Sequence, residues 1–179
     1  MAMELINNKQ IQSPSWQWLL TILVFLAFSR LIPHPPNFTP LGAMALLAGV
    51  YFKDLKVALF IPIVAMLISD ALLGFHSSMM YVYGAVIFIT LGSYLLIKHC
   101  TLLSITLGAI TSAVIFFIVT NFGAWLSHDM YPHTLAGLQQ AYLAGVPFFR
   151  NTLVSNLLFT AIGFYAAQLT IYKKRVANN

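Results

Sequence analysis

The sequence predicts an all-α, polytopic membrane protein: a six-transmembrane-helix bundle with a short second helix and an external amphipathic lid helix. Three observations carry this. Of the 179 residues, 60% are hydrophobic and only 7% charged, against about 25% charged in a soluble domain. Apolar runs recur along the whole chain and are separated by short polar connections. The polar residues inside or beside those runs, Arg30, Asp70, Asn121, Arg150, Asn151 and Asn156, all fall in the outer half of the bilayer in the topology argued below. A charge at the centre of a spanning helix costs about 2.5–3.5 kcal/mol on insertion scales, so such groups face a partner, a cavity or a substrate path.

Residues 1–15 form a polar tail, 16–172 a single transmembrane domain, and 173–179 a basic tail. The first apolar run, 16–32, has no small-residue cleavage site and carries Arg30 near its end, so it reads as a retained helix and not as a signal peptide. The second, 40–52, is too short to span alone, because a crossing takes about 20 residues. Either it is a half-helix or the preceding PHPPNFT dips into the protein. Irregular backbone at membrane depth is tolerated only where protein buries it or it lines a cavity. The remaining runs are 56–75, 79–98, 102–126 and 148–172.

Basic residues set the orientation. Lys53 and Lys56, Lys98, and Lys173, Lys174 and Arg175 share one side if there are six spans, and Lys9 joins them. The positive-inside rule makes that side, with both termini, cytoplasmic. The net charge of +5 is therefore a topology signal and not a nucleic-acid footprint. His34, His76, His128 and His133 lie in the opposite, external connections. The longest of these, 127–147, contains Leu135, Leu138 and Tyr142 at helical spacing, with Thr134 as a candidate N-cap and Gly145 with Pro147 as a candidate stop. It predicts a short helix lying on the outer surface, either as a lid or as a simple interfacial element.

Asp70 is the sharpest single residue. It could bind a ligand, relay a proton, pair with Arg30 or Arg150, or be a solvated helix-end carboxylate. Arg30 and Arg150 could snorkel, or hold a carboxylate or phosphate bidentately. Arg150 and Asn151 open the last run, where free N–H groups favour anions. The run PHPPNFTP cannot be helix interior and predicts a stiff extended loop, which either presents Asn37 to a ligand or only connects. Asn121 and Trp125 in TNFGAW could wall a ligand, although a Trp there also serves as a membrane anchor. Tyr81, Tyr83, Tyr131 and Tyr142 add aromatics near the same face. Together with His76 these give a candidate substrate-binding set of Arg30, Asn37, Asp70, His76, Asn121, Trp125, Arg150 and Asn151.

The chain contains no P-loop or other nucleotide motif, no HExxH or CxxC spacing, and one cysteine, Cys100. No cofactor or nucleic-acid partner is expected, and no catalytic or metal residues are assigned; the four external histidines could hold a transition metal but show no metal-ligand spacing. An enzyme would have to use Asp70 with His76. A small envelope scaffold, binding a protein and no small ligand, is the alternative to a binding protein.

The pattern PHPPNFTPLGAMALLAGVYF, PIVAMLISDALLGFH, YVYGA, TNFGAW and YPHTLAGLQQAYLAGVPFFRNTL resembles an uncharacterised bacterial family described as transport proteins, over about residues 30–155. In size and helix layout it resembles the substrate-binding S component of energy-coupling-factor (ECF) vitamin transporters. That resemblance implies a multi-pass protein of the bacterial cytoplasmic (inner) membrane that captures a small micronutrient, such as a vitamin or its precursor, from outside. It also implies a lipid environment and an energising transmembrane subunit with ATPases as partners. Docking to that subunit would use small-residue patches, here Gly42, Ala43, Ala45, Ala48 and Gly49. The first run, LLTILVFLAF, is bulkier than that pattern.

Overall fold

The computed structural model describes residues 16–75 and 77–177, and these contain helices but no strand. α1 (Trp16–Phe28) continues into a 3-10 turn (Ser29–Leu31); α2 (Leu41–Tyr51), α3 (Leu55–Leu73), α4 (Met79–Leu96), α5 (Leu102–Ser127) and α6 (Leu135–Ala177) follow. Among the described residues four helices, α3 to α6, are long and apolar enough to cross a membrane, while α1 and α2 are shorter. Their outward side chains are apolar, with Phe60 66%, Met80 72% and Leu96 80% exposed. Such a surface is far larger than the isolated patches a water-soluble monomer tolerates.

The helix starts have local causes. Asp54 caps α3, its carboxylate accepting from the N–H groups of Lys56 (2.7 Å) and Val57 (3.4 Å). Thr101 and Ser104 form a reciprocal capping box at α5. Thr134 caps α6 by accepting from the Gly137 N–H at 3.2 Å, as the sequence suggested. α3 ends at Gly74, whose φ of +98° suits glycine.

α2 is the hub. All of its residues are buried, and it touches every other helix. Its 11 residues rise about 16 Å, roughly half of a bilayer's hydrocarbon thickness. Its packing alternates knobs and gaps. Leu46 fills the space at Gly108 of α5, and Leu47 the space at Gly163 of α6. In return Gly42 admits the Asn156 amide, and Gly49 the Thr90 carbonyl of α4. A Cβ at Gly42 would lie 2.3 Å from Asn156 Nδ2. The stripe Gly42, Ala43, Ala45, Ala48 and Gly49 is therefore spent inside the molecule. This overturns its reading as a docking surface for another subunit, because those small side chains let α2 fit between its own neighbours.

Two further expectations change. Residues 135–147 do not form a separate surface helix: α6 runs unbroken from Leu135 to Ala177, with Pro147 inside it. The reason is packing onto α5. Tyr142 donates to the Ile118 carbonyl at 2.8 Å, and Phe117 meets the rings of Tyr142 (5.7 Å) and Phe149 (5.0 Å). Gly145 is no stop; it is buried where a Cβ would lie 2.3 Å from Asn121 Oδ1. The proline loop is also not extended throughout. Phe38 N–H bonds the Pro35 carbonyl at 3.0 Å, and Asn37 has φ +60°. Proline second and a left-handed residue third is the pattern of a type II turn. Phe38 then packs edge-on against Phe159 of α6, ring centres 5.9 Å apart, which draws the loop down toward α2.

Candidate functional site

The most polar node near the proline loop starts from two local features. The 3-10 turn after α1 turns Arg30 inward, and the last full turn of α3 carries Ser69 and Asp70 on its buried side. Arg30 Nη2 lies 2.8 Å from Asp70 Oδ1, and Arg30 Nη1 donates to Ser69 Oγ. The second carboxylate oxygen, Oδ2, accepts from the Tyr83 hydroxyl of α4 at 2.8 Å. Ser69 Oγ–H in turn donates to the Met66 carbonyl at 2.9 Å. The side chains of Arg30 and Asp70 are 10% and 3% exposed. Both carboxylate oxygens are thus engaged, so each buried charge is neutralised locally. Burying either alone would be strongly unfavourable. The node links α1, α3 and α4 through charge-assisted contacts, which are stronger than neutral hydrogen bonds.

The other sequence candidates divide. Asn151 on α6 donates to the Pro36 carbonyl at 2.9 Å, fastening the proline turn. Asn37, the next residue of that turn, is exposed, and its left-handed φ gives it a conformational role in the bend. Arg150 is exposed and has no ion-pair or hydrogen-bond partner among the described residues. Asn121 turns back on its own helix, donating to the Phe117 carbonyl at 2.8 Å, while its oxygen faces Gly145. Trp125 donates to the Pro132 carbonyl at 2.9 Å and meets the rings of Phe122 and His133, both at 5.5 Å. Those two residues hold α5, the 128–134 connection and α6 together. Among the described residues no hydrogen bond joins Asn121 or Trp125 to the Arg30–Asp70 node. His76 lies outside the described residues.

Asn156 is deeper than the sequence placed it. It is 1% exposed, its amide N–H reaches the Ala109 carbonyl at 3.4 Å, and its oxygen has no partner. Ala109 belongs to the first third of α5, near the lysine-bearing connections. Sequence reasoning left Ser69 out of the site and counted Tyr83 only as an aromatic. Ser69 precedes Asp70 directly, and Tyr83 lies one turn into the next helix. That hairpin geometry, with α3 turning into α4 after Gly74, was the available signal.

A second polar cluster occupies the opposite end of α2. The Tyr51 hydroxyl accepts from Cys100 Sγ–H at 3.5 Å and from Gln168 Nε2 at 3.4 Å. Burial pushes the Cys100 thiol above its ordinary pKa, and the bond to Tyr51 offsets part of that rise. A thiol so placed is a poor nucleophile at neutral pH.

No curated protein and no solved structure matches the chain. One family profile does, over residues 10–178, nearly the whole length. The chain belongs to that family, a family of unknown function (DUF6580).

Proposed function

We propose that this chain is a membrane transport protein of the S-component type, the substrate-binding subunit that captures a small micronutrient, such as a vitamin or its precursor, from the outer side of the bacterial cytoplasmic membrane. In this reading six apolar elements cross or enter the bilayer, with both termini and the lysine-bearing connections inside.

The observation that carries the reading is the Arg30–Asp70–Tyr83 node. Two charges are retained inside an apolar bundle, where an apolar pair of similar size would be easier to accommodate. Ionisable groups kept at such depth characteristically serve a ligand or ion path. The broken second element adds support. A bent proline loop followed by a half-length helix is how transporters bring irregular backbone to a mid-membrane site. Arg150, next to the Asn151–Pro36 clasp and without a partner among the described residues, adds a positive charge suited to an anionic group on the ligand. In the unliganded state Arg30 and Asp70 satisfy each other. A ligand with its own charge or donors can exchange into that pair without leaving either charge bare.

The test is native mass spectrometry of the full chain in mild detergent, with release and identification of bound small molecules. A stoichiometric ligand is expected, and Asp70→Asn should lose it while remaining folded. An empty protein that co-purifies with a polypeptide that is neither an ATPase nor an energising transmembrane subunit would reject the transport reading in favour of an envelope scaffold.

A further inference from the structure

At the end of the bundle opposite the proline loop, a cavity of about 260 Å³ opens between the end of α2 and the turn joining α4 to α5. Gly49 to Lys53 form one wall, and Tyr94, Ile97 and Lys98 the other. Its volume equals roughly nine waters of liquid. Two cations flank it. Lys53 and Lys98 are exposed, and neither side chain has a partner among the described residues. The nearest carboxylate in sequence, Asp54, is committed to capping α3. Tyr94 fixes the cavity's shape by donating its hydroxyl to the Lys53 carbonyl at 2.9 Å.

Two helices end here, since Phe52 N–H closes on the Ala48 carbonyl and Ile97 N–H on the Ser93 carbonyl. Each terminus contributes about half a negative charge. Together they offset about one of the two lysines, while the Asp54 carboxylate is turned onto the N–H groups that open α3. Leu95 and Leu96 before it, and Leu102 and Leu103 after it, are all exposed. The cavity is thus a cationic recess bordered by aliphatic side chains.

We propose that this recess binds the phosphate headgroup of an anionic lipid, with the phosphate between Lys53 and Lys98 and the acyl chains along Leu95, Leu96, Leu102 and Leu103. Soluble phosphate shares the headgroup chemistry, but it leaves the leucine border unused. This assignment does not depend on what the Arg30–Asp70 node binds. It makes the lysine pair a receptor for lipid as well as an orientation signal.

The experiment uses the full chain purified in detergent, with phosphatidylglycerol and phosphatidylcholine added in equal amounts and adducts read by native mass spectrometry. Phosphatidylglycerol should be retained over phosphatidylcholine by about 30-fold, as two lysines near an anionic headgroup predict. K53Q/K98Q should lose the preference. K53R/K98R should keep it, which separates lost charge from disturbed folding. Equal retention of the two lipids overturns the proposal, as does an undiminished preference in K53Q/K98Q. In a parallel arm with millimolar inorganic phosphate, the lipid adduct should persist. A phosphate adduct that replaces it would assign the recess to a soluble anion and overturn the lipid. An acidic polypeptide captured at these lysines in place of lipid would overturn it too.

Discussion

At the proline-loop end Arg30 and Asp70 are buried and satisfy each other, whereas at the opposite end Lys53 and Lys98 are exposed and, among the described residues, form no ion pair. The same chemical class therefore does different work at the two ends. A buried pair is a structural commitment, because removing one member strands the other. An exposed unpaired cation costs the fold almost nothing and stays available to something outside the chain. Charge that is already matched is read through stability, and charge left unmatched is read through binding.

The comparison is most easily broken at Asp70. Asp70→Ala leaves the Arg30 guanidinium buried without a counterion, and the expected loss is about 3–5 kcal/mol in reversible unfolding in mixed micelles. The double variant R30M/D70M should recover most of that loss, since an apolar pair often matches a buried ion pair in stability. If Asp70→Ala unfolds like the parent, the pair is not the structural commitment described.

Gly42→Ala tests the hub between the two ends. Its Cβ would meet the Asn156 amide at 2.3 Å, and overpacking of this kind costs about 1–3 kcal/mol. A fully neutral result would mean that α2 has room to shift. Asn151→Ala removes one hydrogen bond to the Pro36 carbonyl, worth about 0.5–1.5 kcal/mol. It should loosen the turn, seen as faster proteolysis between residues 33 and 40. The smallest effect is expected at the lysine end, where K53Q/K98Q should change stability by no more than about 0.5 kcal/mol. A loss as large as that of Asp70→Ala would erase the contrast between the ends. Two residues after Lys98, Cys100 is 2% exposed with its thiol pKa raised by burial. Maleimide at pH 7 should label it only after denaturation, and rapid labelling of the native protein would contradict that burial.

Much of the architecture was legible because it depends on patterns with few alternatives. Long apolar runs fixed α3, α4 and α5 to within a residue or two, and Thr134 announced the start of α6. The shortness of α2 and the absence of helix over 33–40 also followed from composition, since four prolines exclude a helix and eleven apolar residues cannot span, but the turn at 35–38 did not: it depends on the left-handed Asn37 where an extended loop was expected. The errors came from residues with two uses. Gly145 and Pro147 read as a stop, but glycine is also how two helices come close, and contact with Asn121 decided the matter. The alanines and glycines of α2 read as a docking stripe, but sequence does not tell which surface a small residue faces. At the site, Asp70 and Arg30 stood out by charge alone. Their pairing needed the depth of the 3-10 turn, and Asn121 and Trp125 were claimed by nearby carbonyls that no sequence pattern displays.

The enclosure of α2 has a consequence for how the protein is made. In the membrane placement proposed above, residues 41–51 are too short to span alone, and all of their side chains are buried inside the fold. Nothing in the bilayer can therefore hold this segment in place during synthesis. Its position must be granted by α3 to α6 once they have been delivered and have gathered around it. The centre of the molecule is then the last part to become permanent. A chain interrupted before α6 would leave its core helix without the wall that Leu47 and Gly42 require, exposing the nascent protein to membrane quality control.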